Sequence, residues 1–430
     1  MIKNIEELTN DLNHNNPTKR LHSLSRMIKA AKSGVYGFTP VSGHVNNHIH
    51  TNYSFSPYSP SKAIWMAFTS GLSTAGIMDH DSISGATEFI EAGKIAGIAT
   101  TIGVECRADF SATPLYGKRI NNPDQNSIAY VAIHGIPHTQ ISKVDKFFTV
   151  YRQRRNERNM KMVEKINDLV HKSRVQLDFE DGIIPLSKAA EGGSITERHL
   201  LYGLSLNLID KYGKGEALIN ALKNHLSIDV SQKLHTLLAD PYNPYYDYDL
   251  LGILKSDLVQ SFYIEAKEEC PSIKDLLTFS REIGGISAYA YLGDITDSVT
   301  GDKKPQKFED DYLELVFDTI VNLGFNGVTY MPSRNTTIQL ERLRGLCRKH
   351  NLFEISGEDI NSPRQSFVCE AMKDGSFNNL KDSTWAMIGH ELASTDDMSQ
   401  GMFASKALTD YPNLYERISA YKLLGMRYSK

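Results

Sequence analysis

The sequence predicts an α/β fold in which parallel strands form a sheet and helices pack outside it. From Gly43 onward, short runs rich in β-forming residues alternate with helical stretches, which is the pattern of β-α-β units. The rhythm returns after residue 283, so that roughly seven strands are expected. A chain of 430 residues is long enough for one barrel of about 250 residues that carries insertions.

Five segments follow one another along the chain. Residues 1–42 contain one or two amphipathic helices, which we expect to pack outside the main domain. Residues 43–137 form the first part of the strand-and-helix domain, and 284–365 form its second part. The segment between them, 138–283, is mostly helical by pattern and is interpreted as an inserted subdomain. Residues 366–430 are predicted to be helical again and to pack back on the main domain.

Each predicted strand is a short run of β-forming residues. The first part of the domain contains four of them: GHVNNHIH, TAGIMDH, IATTIGVE and SIAYVAIHG. The second part contains three: GGISAYAYLG, NGVTYM and LFEISGED.

Composition and charge exclude several classes of protein. Charged residues make up 23% and hydrophobic residues 41%, which is typical of a folded globular protein and not of a disordered one. The net charge is −4, which argues against non-specific binding of nucleic acid. Four scattered cysteines indicate reduced thiols, and no apolar run approaches the roughly 20 residues of a membrane span, so a cytoplasmic protein is expected.

Side chains that commonly bind metals stand at the ends of the predicted strands. They are His48 and His50 on the first strand, His80 on the second, Glu105 on the third, His134 on the fourth and Asp359 on the last. The carboxyl ends of parallel barrel strands form one face, so these side chains are expected to meet. Imidazoles and carboxylates without thiolates suit Zn, Mn or Fe. The pattern predicts a metallohydrolase.

Four of these motifs carry a resemblance to a known family. HIHTNYS from His48, DHDSISG from Asp79, GVE ending at Glu105 and IHG on the fourth strand resemble, in order and spacing, successive motifs of the PHP (polymerase and histidinol phosphatase) superfamily. The resemblance covers about 43–137 and 284–365. It implies a distorted seven-stranded (β/α) barrel with a helical insertion, and hydrolysis of phosphate esters by a cluster of two or three metals.

Three ligand positions of that family pattern are altered here, namely Phe55, Tyr291 and Asn361. The resemblance implies a first metal whose four ligands are all present: His48, His50, Glu105 and Asp359. A second metal would share Glu105 and use His134 with the position of Tyr291. A third would rely on His80 alone among strong ligands. We therefore expect one to two equivalents of Mn, Fe or Zn per chain.

Further residues are predicted to serve catalysis or substrate binding. Glu105 is expected to be essential as the shared metal ligand, and His134 or His199 to bind or protonate the leaving group. The segment containing Arg198 and His199 resembles a stretch of the family's insert whose basic residues face the substrate phosphate; the alternative is a capped helix start. Arg334 and Arg364 follow strand ends and could contact an anion, or could form ordinary surface pairs.

The sequence thus predicts a hydrolase of small phosphate esters that uses metal-activated water. Alternatives are a degraded relative that binds metal without turnover, a nuclease of the same family, or an amidohydrolase-type barrel that cleaves C–N bonds. A small phosphorylated substrate is expected because the longest basic run, residues 152–158, is too short for an extended nucleic-acid groove and is interpreted as a solvated helix face. No membrane partner is expected, and the oligomeric state stays open.

Overall fold

The structure is a computed structural model that describes residues 5–34, 43–295 and 306–428. Seven strands form one sheet, in chain order from first to last, as predicted. They are β1 (His44–Ile49), β2 (Leu72–His80), β3 (Ala99–Asp109), β4 (Ile128–His134), β5 (Ile286–Ala290), β6 (Gly327–Tyr330) and β7 (Phe353–Ser356).

Six of the seven strands run in one direction. The pairs β1–β2, β2–β3, β5–β6 and β6–β7 are parallel, whereas β4 is antiparallel to both β3 and β5. The prediction of a wholly parallel sheet is therefore wrong at β4. The reason is the connection from Asp109 to Ile128, which contains no crossover helix, so β4 returns directly beside β3.

The sheet is curled so that its first and last strands approach each other. An isolated bridge joins Ile49 to Ile360, just beyond β7, and the His50 amide donates a hydrogen bond to the Ile360 carbonyl. This closure brings the residues after β1 and those after β7 together.

Fifteen α-helices lie within the described residues. In the amino-terminal part they are α1 (Ile5–Asp11), α2 (Pro17–Lys32), α3 (Pro60–Thr69) and α4 (Ala86–Ala96). Between β4 and β5 they are α5 (Ile141–Val170), α6 (Glu197–Tyr212), α7 (Glu216–Leu226), α8 (Gln232–Ala239), α9 (Tyr246–Phe262) and α10 (Ile273–Glu282). The remaining ones are α11 (Leu313–Leu323), α12 (Thr337–His350), α13 (Asn378–Asp396), α14 (Ser405–Asp410) and α15 (Leu414–Tyr428).

The main apolar core lies between the sheet and the helices beside it. Leu24 and Met27 of α2 are buried in this core, so the amino-terminal helices pack on the outside of the strand-and-helix layer as expected. Arg20 of α2 is fully buried and forms an ion pair with Glu88 of α4. Residues 1–4 and 35–42 of the predicted amino-terminal segment lie outside the described residues.

A second apolar cluster is formed by the helices between β4 and β5. Met162 of α5, Leu204 of α6 and Leu254 of α9 are among its buried side chains, and Phe55 from the loop after β1 is packed with them. Helix α10 instead contributes to the main core, through Leu276 among others. The division of the chain into five segments stays a prediction.

The carboxyl-terminal helices close the sheet at the side opposite the candidate site. Helix α13 contacts β1, β3 and β7, and Glu391 of α13 accepts hydrogen bonds from the Thr101 hydroxyl and the Ile102 amide. Helix α15 packs on α13 so closely that a side chain at Gly389 or Gly425 would collide with backbone of the other helix. In the described part of the chain, no helix has both the length and the apolar character needed to cross a bilayer.

Candidate metal centre

The sheet brings four of the predicted ligands to one place. His48 lies in β1 and His50 directly follows it, and the alternation of strand side chains puts both rings on the same side. His80 is the last residue of β2 and is paired in register with Glu105. The sequence predicts that Glu105 ends its strand. In the structure, β3 continues for four residues beyond Glu105 and pairs with β4.

The distances between possible ligand atoms are short. His48 Nε2 lies 3.2 Å from His50 Nε2 and 3.6 Å from Glu105 Oε2. Asp359, in the loop after β7, places Oδ1 3.2 Å from His50 Nε2. His80 Nδ1 lies 3.2 Å from Glu105 Oε2. Two overlapping groups result, His48 with His50 and Asp359, and His50 with His80 and Glu105, and within each the ligand atoms lie within 4.8 Å of one another.

A buried carboxylate orients the loop that carries His50. Asp79 is 1% exposed and accepts hydrogen bonds from the Thr51 amide at 2.7 Å and from the hydroxyls of Thr51 and Ser54 at 2.6 Å each. The Ser54 proton is thereby directed to Asp79, so its oxygen can accept from His50 Nδ1, 3.3 Å away. This arrangement favours a proton on Nδ1 and directs His50 Nε2 toward the ligand cluster.

The donor set fits a divalent transition metal. His50 Nε2 faces the oxygens of Asp359 and Glu105, so either a proton on the ring or a metal cation must lie between these atoms. Two imidazoles with two carboxylates match the preference of Zn, Mn or Fe. The residues that would hold the ion are thus those of the first predicted site, with His80 beside Glu105.

The electrostatics of the cluster follow from its mixed charges. Burial alone would raise the pKa of Asp359, but its hydrogen bond to His50 and the charges of His50, His48 and Arg198 hold that pKa far below its usual range. Burial, together with the charges of His50 and Arg155, lowers the pKa of His80 well below its usual value. His80 is therefore a neutral imidazole, which is the form that binds metals.

His134 is placed differently from the prediction. Because β4 is antiparallel, its carboxyl end lies at the edge of the sheet opposite to the carboxyl ends of the other six strands. The register puts Ala132, and not His134, opposite Glu105. His134 is 1% exposed, belongs to neither ligand group, and has no hydrogen-bond partner for Nε2. Burial and the charge of His48 lower its pKa to about 3. The expectation that it lies at the common edge is wrong.

The three altered ligand positions have taken structural roles. Phe55 packs edge-on against His199, with ring centroids 5.0 Å apart, inside the second apolar cluster. Tyr291 donates its hydroxyl to Asp310 at 2.7 Å, and burial and this bond raise its pKa. Asn361 Nδ2 donates to Asp359 Oδ1 at 2.6 Å and so supports a ligand.

A cationic pocket lies beside the ligand cluster. It is lined by His80, Arg107, Asp124, Tyr130, Arg155, Thr196, Glu197, Arg198, Leu201, Lys255 and Val259. Arg198 in the first turn of α6 and Lys255 on α9 have neither a hydrogen bond nor an ion pair within the described residues. The charge of Arg198, foremost, lowers the pKa of Lys255 to about 8. Sequence reasoning missed Lys255 because no motif surrounds it.

His199 is buried beside this pocket and caps its own helix. Its Nδ1 accepts a hydrogen bond from the Thr196 amide at 3.0 Å, so the capped helix start named as the alternative is present. The acceptor role of Nδ1 leaves the proton on Nε2. Burial lowers the pKa of His199 to about 3.

The basic run of α5 is only partly a solvated face. Arg155 and Arg158 are 3% and 7% exposed, and both form ion pairs with Glu269. Arg155 also pairs with Asp81 at 2.7 Å, and Arg158 with Glu197. The interpretation as a solvated face is therefore wrong for Arg155 and Arg158, which are met by acids from distant segments, whereas Arg154 is exposed.

The remaining predicted anion contacts differ from each other. Arg334 donates Nε to the Leu292 carbonyl at 3.1 Å and lies near enough to Asp359 for that charge to influence its pKa. Arg364 forms a two-pronged ion pair with Asp249 of α9, with both N–O distances 2.6 Å. The structure thus shows for Arg364 the surface ion pair that was the alternative to an anion contact.

Comparison with known proteins agrees with this geometry. The family model of the PHP domain matches residues 46–316. The chain belongs to the PHP domain family. No curated protein matches it. Family membership and the His, Asp and Glu groups support a metal-dependent hydrolase.

Two solved structures are similar to the chain. One, a candidate metal-dependent phosphoesterase from Bifidobacterium adolescentis, has a TM-score of 0.50 at 17% identity, covering 79% of this chain and 98% of that one. This PHP protein therefore shares the fold of the Bifidobacterium adolescentis protein. The other, an amidohydrolase from Chromobacterium violaceum solved with bound sulfate and no metal, has a TM-score of 0.49 at 16% identity, covering 76% of this chain and 90% of that one.

Proposed function

We propose that this PHP protein is a cytoplasmic phosphoesterase that hydrolyses small phosphate esters with one or two Mn, Fe or Zn ions. The observation that carries the proposal is the pair of unpartnered cations, Arg198 and Lys255, beside the candidate metal centre. The charge of Arg198 and burial lower the pKa of Lys255, although the charges of Asp124, Asp359 and Glu197 partly offset this effect. A bound phosphate would remove the repulsion between the two cations.

The type of cation also favours a phosphate group. A guanidinium offers paired donors that match two phosphate oxygens, and an ammonium adds a compact point charge. The charge of Arg198 also acts on Asp359, so the cation lies close to the ligand cluster. An anion held by Arg198 would therefore lie within reach of the proposed metal.

The metal would be held by His48, His50, Glu105 and Asp359, with His80 at its edge. When bound, a divalent ion supplies a Lewis acid that stabilises negative charge and lowers the pKa of water toward neutrality. The chain's own residues would orient the substrate. His199, neutral with its proton on Nε2, is suited to donate a hydrogen bond to the substrate rather than to act as an acid, since its pKa is about 3.

A small substrate is favoured over a nucleic acid by the cover of the pocket. Helices α6 and α9, in the proposed insertion 138–283, contribute Leu201, Lys255 and Val259 to its lining. Arg155 and Arg158 of α5, which could have contributed to a basic groove, are buried in ion pairs. The pocket therefore offers positive charge for one or two phosphates and not for a strand.

The test is a screen of metal-loaded protein against sugar phosphates, nucleotides and labelled oligonucleotides. We expect hydrolysis of small monoesters, and at least a tenfold loss of kcat/KM in Arg198→Ala and Lys255→Ala. Lys211→Ala, at the other end of α6, is the matched control and should keep full activity. Processive cleavage of oligonucleotides would favour the nuclease. Metal binding without turnover on any ester would favour the degraded relative.

A further inference from the structure

Helix α15 presents an exposed face that no described residue covers. Its other face carries Tyr421 and Gly425, which pack against α13. On the outward face, Tyr415 is 59% and Leu423 is 57% exposed. Together with Tyr411 beyond α14, these side chains line a concave surface that is mainly apolar. Exposed apolar surface of this kind marks an interaction site.

The outward residues of α15 recur at the spacing of a helix-pairing seam. Glu416, Ala420, Leu423 and Arg427 are separated by four, three and four positions, which places them along one stripe. Glu416 and Arg427 are both exposed, and neither forms an ion pair within the described residues. They stand at opposite ends of the stripe, roughly 16 Å apart at 1.5 Å per residue.

This stripe is complementary to itself. If a second α15 runs antiparallel, with a two-fold axis between Tyr421 and Lys422, Glu416 of each copy faces Arg427 of the other. The same axis sets Leu423 of each copy against Ala420 of the other, so that a large side chain meets a small one. The paired stripes thus form two Glu416–Arg427 contacts and two Leu423–Ala420 contacts.

We propose that the α15 face is a homodimer interface in which two copies of this chain pair through antiparallel α15 helices. Charge complementarity within the stripe favours a second copy over an unrelated partner. The contact area of one helix is at the lower end for specific interfaces, so a Kd on the order of 10 µM is expected.

The experiment uses the full chain and its mass in solution, by analytical ultracentrifugation at about 100 µM. Wild type should be largely dimeric. Glu416→Arg alone would place Arg427 against an arginine, and Arg427→Glu alone would place Glu416 against a glutamate, so each variant should weaken dimerisation at least tenfold. Glu164→Arg, an exposed charge reversal on α5, is the matched control and should stay dimeric.

The mixture of the two variants is decisive. A pair of Glu416→Arg with Arg427→Glu restores both opposite-charge contacts, so equal amounts of the two monomers should form a heterodimer. A monomeric wild type at that concentration would overturn the proposal. So would single variants that dimerise like wild type, or a mixture that does not associate although both variants keep the wild-type circular dichroism spectrum.

Discussion

The two halves of the sheet differ in what their strand ends have become. At the β1–β3 end, His48, His50, His80 and Glu105 are gathered with ligand atoms a few ångströms apart. At the β5 end, Tyr291 occupies the altered ligand position and its hydroxyl is bound to Asp310. The ends of β1–β3, together with Asp359 after β7, keep side chains directed at a shared point, whereas the end of β5 directs Tyr291 into a local hydrogen bond. The difference teaches that a ligand position can be lost without loss of the fold.

The largest expected effect comes from removing a predicted metal ligand at the ends of β1–β3. Glu105→Ala removes the carboxylate that lies near both His48 and His80, so we expect loss of bound metal and a fall in hydrolysis of at least a thousandfold. Elemental analysis and turnover measure both. His44→Ala, at the other end of β1, is the control and should retain metal. Wild-type metal content in Glu105→Ala would show that the intact half is not the metal site.

A smaller effect is expected from Asp79, which orients a predicted ligand but is not itself a predicted ligand. Asp79→Asn weakens the bonds that orient Thr51, Ser54 and, through them, His50. We expect metal affinity to fall about 10- to 100-fold, with the circular dichroism spectrum unchanged. Competitive chelator titration gives the affinity. Ser84→Ala, which loses hydrogen bonds to Asp145 and Gly192 instead, should bind metal as wild type does.

The altered half should respond in stability and not in metal binding. Tyr291→Phe removes the hydroxyl that donates to the half-buried Asp310, and we expect the free energy of unfolding to fall by about 1 kcal/mol. Urea denaturation measures this change. The metal content should equal that of wild type. If Tyr291→Phe lost metal, Tyr291 would be a ligand and the contrast between the halves would disappear.

The smallest expected effect concerns His138, which pairs with Glu391 of α13 on the side of the sheet away from the candidate metal centre. Burial opposes protonation of His138, but its hydrogen bond to Glu391, at 2.8 Å, gives the folded state a raised pKa. The stabilisation is therefore complete below the unfolded pKa of about 6.5 and is lost as pH rises through the folded pKa. The wild-type advantage over His138→Gln in urea unfolding should shrink across that interval. An advantage that grew with pH would contradict the assignment.

The success of sequence reasoning differed from residue to residue. His48, His50 and His80 were placed correctly because period-two alternation and strand-end position are local properties. Glu105 lies beside His48 and His80 as expected, although its strand continues beyond it. His134 was misplaced because the direction of β4 depends on its partners β3 and β5 and not on its own residues. Lys255 was missed because only the packing of α9 against α6 brings it to Arg198.

By itself, the sequence determined the number and order of the strands, the residues that could bind a metal, and the three positions where a ligand was lost. Only the tertiary structure decided what those three positions do instead, that β4 is reversed, and that Arg155 and Arg158 of α5 are buried. The physical reason is the separation along the chain between the residues that interact. Periodicity and ligand type are written in neighbouring residues, whereas the burial of Arg155 depends on acids such as Asp81 and Glu269, which lie about seventy and more than a hundred positions away.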